Sequence, residues 1–442
     1  MQTNFSLAQL ADPAIKEADG ILRNCVHCGF CTATCPTYVT LGNELDSPRG
    51  RIYLIKDMLE NDRPADKQVV THIDRCLSCL SCMSTCPSGV HYMHLVDHAR
   101  VHIEKTHDRP LADRAIRGLL AAVLPYPNRF RAALTLARLA RPFSALIGFV
   151  HPLKPLSAML RLAPKRMSPP VAETKPGTFP AKGKKLGRVA LLTGCAQPVL
   201  DSGINKATIE LLTRLGIEVV LPKGEACCGS LVHHMGREEE ALSAARNLVG
   251  VWSGEIDNGG LDAIIITTSG CGTTIKDYGH MLRHDPEWSD RAAQVAGLAM
   301  DVCEYLERFD LPQTDFATDL KVTYHAACSL QHGQQIKSAP KSLLQRAGFE
   351  VSEVPEAHLC CGSAGTYNIL QSEIATTLRD RKIANINKTQ PDVIAAGNIG
   401  CLTQIGSATK VPVVHTVKLL NWAYGGEMPP ELGQDGRSDP TA

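Results

Sequence analysis

Cys25, Cys28, Cys31 and Cys35 run up to Pro36, and fifty-one positions later Cys76, Cys79, Cys82 and Cys86 run up to Pro87. Each run reads C-x2-C-x2-C-x3-C-P, the spacing that wraps three thiolates around one iron–sulfur cube and sends the fourth to a neighbouring cube. Two such runs predict one module with two [4Fe–4S] clusters. Cys25, Cys28, Cys31 and Cys86 are expected to hold the first, and Cys76, Cys79, Cys82 and Cys35 the second. The rival chemistry is a pair of structural zinc knots. Zinc closes a tetrahedron from two short ligand pairs, which leaves the third and fourth cysteine of each run superfluous. Pro36 and Pro87 turn the chain away just after the crossing ligand and bring no N–H that needs a partner there.

A second set of thiols repeats on a longer period. Cys195 is followed by Cys227-Cys228-Gly229 and Cys271, and Cys328 by Cys360-Cys361-Gly362 and Cys401. The single cysteine precedes the pair by 32 positions in both copies, and the copies are offset by 133 positions. Around them, apolar strand patterns alternate with helical ones: Val189–Leu192, Ile217–Leu221 and Ala263–Thr267 in the first copy, and Val322–Tyr324, Phe349–Val351 and Val393–Ala395 in the second. Buried strands joined by helices call for parallel sheets with right-handed crossovers. Every cysteine of the repeats then falls just past the carboxyl end of a strand, the edge where open α/β sheets build sites. Cys195, Cys227, Cys228, Cys271, Cys328, Cys360, Cys361 and Cys401 are therefore candidates for further metal or cluster binding. Cys303, on a helical pattern with Leu298, Val302 and Leu306, reads as core.

The elements that must position these thiols follow from the rest of the chain. Ser47-Pro48 caps a helix whose Ile52, Ile55 and Leu59 face one way, joining the two runs and covering the clusters. Arg49 and Arg51 in its first turn read as a solvated face. His91, His94, His98 and His102 follow at helical spacing and read as a half-exposed helix, with no second ligand set in view. From Arg114 to Ala172 there is no acidic residue, while Arg114, Arg117, Arg129, Arg131, Arg138, Arg141, Lys154, Arg161, Lys165 and Arg166 alternate with apolar residues such as Leu136, Leu139, Phe143, Leu146, Ile147 and Phe149. Such a basic amphipathic segment suits an anionic membrane surface, an acidic partner or a packed bridge. Pro164 to Gly187 reads as a linker.

The expected fold is α+β multidomain: residues 1–110 a helical two-cluster ferredoxin-type domain, 111–186 the basic bridge and linker, 187–312 and 313–425 two repeated α/β cysteine-rich domains, and 426–442 a disordered tail. The formal net charge of +1 selects no polyanionic partner, and no nucleic-acid-reading element is evident. Seventeen cysteines in a long chain whose first twenty residues lack an apolar signal region point to a reducing compartment. No stretch approaches the roughly 18 to 20 apolar residues of a spanning helix.

In this order, the ferredoxin-type head, the basic bridge and the two Cys-Cys-Gly domains resemble the iron–sulfur subunits of bacterial glycolate oxidase. The resemblance runs from Arg23 to about Ala423 and rests on Cys25–Pro36, Ser47–Arg51, Cys76–Pro87, Leu192–Cys195, Glu225–Gly229 and Leu359–Ser363. The same plan is shared with iron–sulfur subunits of anaerobic glycerol-3-phosphate dehydrogenase and of lactate utilisation. The resemblance implies an electron-transfer subunit, itself without catalytic residues, that takes electrons from a flavin-containing subunit oxidising glycolate to glyoxylate. It would pass them to a membrane acceptor such as quinone, from a peripheral position on the cytoplasmic side of the inner membrane. Flavin is expected only in the partner subunits, since no G-x-G-x-x-G follows a strand here. In heterodisulfide reductase relatives the motif closes with C-x-x-C, whereas Thr274 and Gln404 stand at those places here. A self-sufficient disulfide or quinone reductase at the Cys-Cys-Gly sites is the alternative.

Overall fold

The structure is a computed structural model and describes residues 1–144, 154–164, 167–169, 171–311, 314, 316 and 318–433. Helices Pro13–Asn24, Pro48–Glu60, Lys67–Asp74 and Tyr92–Thr106 enclose the two cysteine runs. They meet over Leu22, Ile55, Met58, Val69, Ile73, Leu95 and Ile103, all buried. The Pro48–Glu60 helix starts as its sequence dictates. The Ser47 hydroxyl accepts from the Gly50 amide at 3.0 Å, Pro48 occupies the first turn, and Ile52, Ile55 and Leu59 are buried.

The two repeats form two sheets. In the first, β1 (Gly177–Phe179), β2 (Gly187–Leu191), β3 (Ile217–Leu221), β4 (Ala263–Ile266) and β5 (Ala299–Asp301) lie in the order β1-β3-β2-β4-β5. Only β1 is antiparallel, with Gly177 opposite Leu221. In the second, β6 (Lys321–His325), β7 (Glu350–Glu353), β8 (Val393–Ala396) and β9 (Val413–His415) are all parallel in the order β7-β6-β8-β9. Their central strands are apolar on both faces because helices cover both, so Val189, Ala190, Ile264, Ile265, Val393, Ile394 and Ala395 are all fully buried.

Three strands have no counterpart in the sequence reading. β1 lies inside the stretch read as linker, where three residues among lysines, prolines and glycines show no periodicity. β5 and β9 are three residues each and run straight into helices, capped by the side chains of Asp301 and His415. Residues 426–433, expected in the tail, pack instead: Leu432 is buried, Met428 lies against the core of the second repeat, and Glu431 pairs with Lys418. Residues 434–442 lie outside the described residues.

The bridge begins with helices Leu111–Val123 and Pro127–Ala140. Among the described residues, Arg117 and Arg131 are held by other parts of the chain, and Arg129 by its neighbours, donating to the Ala122 carbonyl at 2.9 Å and lying over the Tyr126 ring. Arg117 is buried and pairs with Asp74 at 3.0 Å, and Arg131 donates to the carbonyls of Ser168 and Pro198. Arg114, Arg129 and Arg138 are exposed, beside the exposed side chains of Leu111, Leu119, Tyr126, Leu136, Leu139 and Phe143. Leu146, Ile147, Phe149, Lys165 and Arg166 lie outside the described residues. Among the described residues no helix is long and apolar enough to cross a membrane.

Candidate metal centres

The head brings its eight cysteines to two recesses. Cys25, Cys28, Cys31 and Cys86 line one, with Cys82 at its back; Cys35, Cys76, Cys79 and Cys82 line the other. Cys86 thus stands with the first run and Cys35 with the second, the crossing that the spacing requires. None of the eight is in a disulfide. The two runs also share one backbone path: His27 and Ser78 have φ of 55° and 49°, and Gly29 and Leu80 have φ of 84° and 61°. A leucine held in the left-handed region costs about 1–2 kcal/mol, so tertiary contacts and not local preference hold the second loop in the path of the first. Free, converging thiols on matched loops fit an iron–sulfur group in each recess.

The recesses differ in access. Cys28 is exposed and is flanked by exposed Val26 and Phe30, whereas Cys35, Cys76, Cys79 and Cys82 are all buried. Around the inner recess the structure overturns the solvated reading of Arg51. Its side chain is 1% exposed, and its guanidinium donates to the His72 carbonyl at 2.7 Å and to the Thr37 hydroxyl at 2.9 Å, with Cys35 Sγ at 3.8 Å. Buried Asp46 lies 3.6 Å away and also accepts from His72 and Arg75. Arg49 keeps to the surface and pairs with Glu44. Arg100 donates to the Cys76 carbonyl, and Tyr92 Oη to Cys76 Sγ at 3.7 Å. Burial raises the Cys76 thiol, but Arg51 and Arg100 outweigh it and bring the thiol below its ordinary value.

Two fixed cations beside a buried thiolate set therefore offset its charge. Arg51→Leu leaves Asp46 with only His72 and Arg75, and is expected to destabilise the head by about 3 kcal/mol, the low end for a broken buried pair. The loss is read as an earlier thermal transition of the anaerobic protein.

Each repeat gathers its four thiols beyond the strand ends. In the second, Cys328 Sγ lies 3.7 Å from Cys360 Sγ, and Cys361 Sγ 3.5 Å from Cys401 Sγ. In the first, the neighbouring thiols of Cys195 and Cys228 bring Cys227 below its ordinary value, and Cys227 and Cys271 in turn raise Cys228. Cys360 is held well below its ordinary value in the same way by Cys328 and Cys361. The glycine of each Cys-Cys-Gly lets the chain turn against a following helix. Gly362 has φ of 86°, and a Cβ there would lie 2.5 Å from the Ala375 carbonyl. Cys303 is buried in the core.

The surroundings of the quartets differ. In the first repeat Glu225, two residues before Cys227, is pushed up to about 7 by burial and accepts from Thr193 N and Trp252 Nε1. The second faces Lys382, buried and donating to the Glu356 carbonyl. The inner head recess abuts the second quartet. Leu77 and Cys79 share one packed cluster with Cys360, Cys328 and Tyr367, and Tyr367 Oη donates to the Arg75 carbonyl at 3.0 Å.

The histidine helix finds partners that the sequence reading did not supply. His94 stacks on His280 with ring centroids 3.4 Å apart, and pairs with Glu17 and Asp277. Glu17 is also held by Arg283, and Asp97 pairs with His233. These contacts tie the head to the first repeat across 136 to 266 sequence positions, which no local spacing reveals.

The 4Fe-4S dicluster domain family matches residues 21–90, and the cysteine-rich domain family matches residues 189–276 and 322–406. The chain carries iron–sulfur clusters, as the dicluster match requires. It is similar to the glycolate oxidase iron-sulfur subunit of Escherichia coli K12, 41% identical over 97% of this chain and 100% of that one. It is also similar to the probable glycolate oxidase iron-sulfur subunit of Bacillus subtilis 168, at 34% over 96% and 99%. The lactate utilization protein A of Bacillus cytotoxicus matches at 31%, over 53% of this chain and 98% of that one. Among solved structures, a hypothetical protein from Helicobacter pylori superposes with a TM-score of 0.56 at 10% identity, covering 96% of this chain and 75% of that chain, which establishes a shared fold.

Proposed function

Because this chain belongs to the family of glycolate oxidase iron–sulfur subunits, we propose that it carries electrons from a flavin-containing partner, which oxidises glycolate to glyoxylate, towards a membrane acceptor such as quinone. Oxidising the CH–OH of glycolate releases two electrons and two protons. The protons leave at the partner, and the electrons pass one at a time to clusters, which supply the one-electron carriers when bound. The first head set is Cys25, Cys28, Cys31 and Cys86, and the second Cys76, Cys79, Cys82 and Cys35. Two further sets are Cys195, Cys227, Cys228 and Cys271, and Cys328, Cys360, Cys361 and Cys401.

The observation that carries this reading is the file of thiol sites from the surface inward. Exposed Cys28, between Val26 and Phe30, offers an apolar rim where a partner's redox group can approach. Buried Cys79 then shares one packed cluster with Cys360 of the second repeat. Arg51 and Arg100 hold the thiolate charge of the inner set and keep it from water. The test is whether glycolate reduces the clusters of this chain only when the flavin partner is present.

The exposed bases of the bridge, set among exposed leucines, would lay the subunit on an anionic membrane surface. Each base near such a surface is worth about 1 kcal/mol and is screened by salt. Changing Arg114 and Arg138 to glutamate spares the internal bonds of Arg117, Arg129 and Arg131, and is expected to abolish flotation with anionic vesicles at low salt. Flotation that is unchanged, or insensitive to salt, would mean that these helices are only a packed bridge.

A further inference from the structure

We propose that His325 supplies a ring nitrogen to the metal centre of the second repeat, making that centre chemically unlike its counterpart in the first. His325 ends β6, three residues before Cys328, and its side chain is 1% exposed. Neither ring nitrogen has a hydrogen-bond partner among the described residues. A neutral imidazole always presents one donor and one acceptor, and leaving a buried polar atom unmatched costs about 1–3 kcal/mol. A site for a packing residue alone would be filled better by an apolar side chain. What faces the ring is sulfur: a His325 nitrogen, Cys361 Sγ and Cys401 Sγ all lie within 4.8 Å of one another. Three donors of types that iron and zinc accept thus converge, with Cys328 and Cys360 next to them.

The first repeat serves as an internal control. The 133-position offset places Leu192 where the second repeat has His325, and the matching contacts of Gly229 on Ala241 and of Gly362 on Ala375 place Leu248 where it has Lys382. Leu192 and Leu248 are both buried and apolar. The fold therefore needs no imidazole at that strand end, and the second repeat carries two nitrogen-bearing side chains around an otherwise matching quartet. An iron that takes His325 as a ligand in place of one of these thiolates carries less negative charge, which raises its reduction potential. The second repeat, which adjoins the inner head recess, is then the more readily reduced of the two.

The proposal rests on the reading that Cys328, Cys360, Cys361 and Cys401 hold iron, and the experiment separates the two. The full chain, reconstituted anaerobically with iron and sulfide, is labelled with 15N-histidine and examined by pulsed electron paramagnetic resonance in its paramagnetic state. The expected result is a strongly coupled nitrogen that responds to the label and disappears in His325→Leu, which copies Leu192. His325→Cys should keep the iron while lowering the midpoint potential of one centre. Cys361→Ser and Cys401→Ser should each lower the iron content. If the cysteine variants lower the iron but the unsubstituted chain shows no histidine nitrogen, the imidazole ligand is overturned and the thiol site stands. If they leave the iron unchanged, the thiol site falls, and the ligand with it. The labelled native chain gives its answer even if a variant fails to fold.

Discussion

Serine in place of Cys35 is expected to remove the inner head cluster and spare the outer one, although Cys35 belongs to the first run. Of about eight irons in the head, about four should be lost. Cys35 lines the recess of Cys76, Cys79 and Cys82, whereas Cys86 lines that of Cys25, Cys28 and Cys31. Cys86→Ser should therefore produce the opposite loss. The two variants are distinguishable because the sites differ in access: an external oxidant or chelator should reach the cluster beside exposed Cys28 well before the buried one. Removal of the outer cluster by Cys35→Ser would show that each run closes on its own cube. Stoichiometric zinc without the visible charge-transfer absorption of sulfide would overturn the cluster chemistry of the head altogether.

A complex whose copy of this chain carries Cys76→Ser and Cys79→Ser is expected to lose glycolate-driven reduction of the membrane acceptor by roughly a hundredfold or more, since a serial relay has no detour around a missing carrier. Glycolate should still bleach the partner flavin at its normal rate. The loss would therefore appear between flavin and acceptor, not in the chemistry on glycolate. Normal acceptor reduction in the double variant would mean that electrons leave the flavin without passing the inner recess. A defect on glycerol 3-phosphate or lactate, with glycolate unaffected, would assign the chain to a different dehydrogenase.

The cysteine spacing was legible because a cluster constrains residues a few positions apart, and it is this spacing that leads one to expect Cys35 and Cys86 to cross, as the recesses they line allow. The parallel strands were legible for a similar reason: β3, β4 and β8 are short, largely apolar runs buried on both faces, and β2 and β6 carry the same signal in Val189–Leu191 and Val322–Tyr324. Features that depend on tertiary placement were not. Arg51 in a first turn looks like a solvated residue, until Asp46, Thr37 and the His72 carbonyl surround it from 5 to 21 positions away. His94 meets His280 and Asp277 only because the head docks on the first repeat. His325 preceded a candidate cysteine in plain view, and comparing the copies position by position, histidine against Leu192, was the signal that could have singled it out. β1 escaped because an edge strand of three residues carries no alternation to read.

The most direct measurement is an anaerobic titration of the chain with glycolate, followed by electron paramagnetic resonance, with and without the flavin partner. A relay role predicts that the clusters of this chain stay oxidised when it is alone, and become reduced within the turnover time once the partner is added. Reduction of the isolated chain by glycolate would make it the dehydrogenase itself. Clusters that remain oxidised while the assembled complex turns over would contradict its role as the relay.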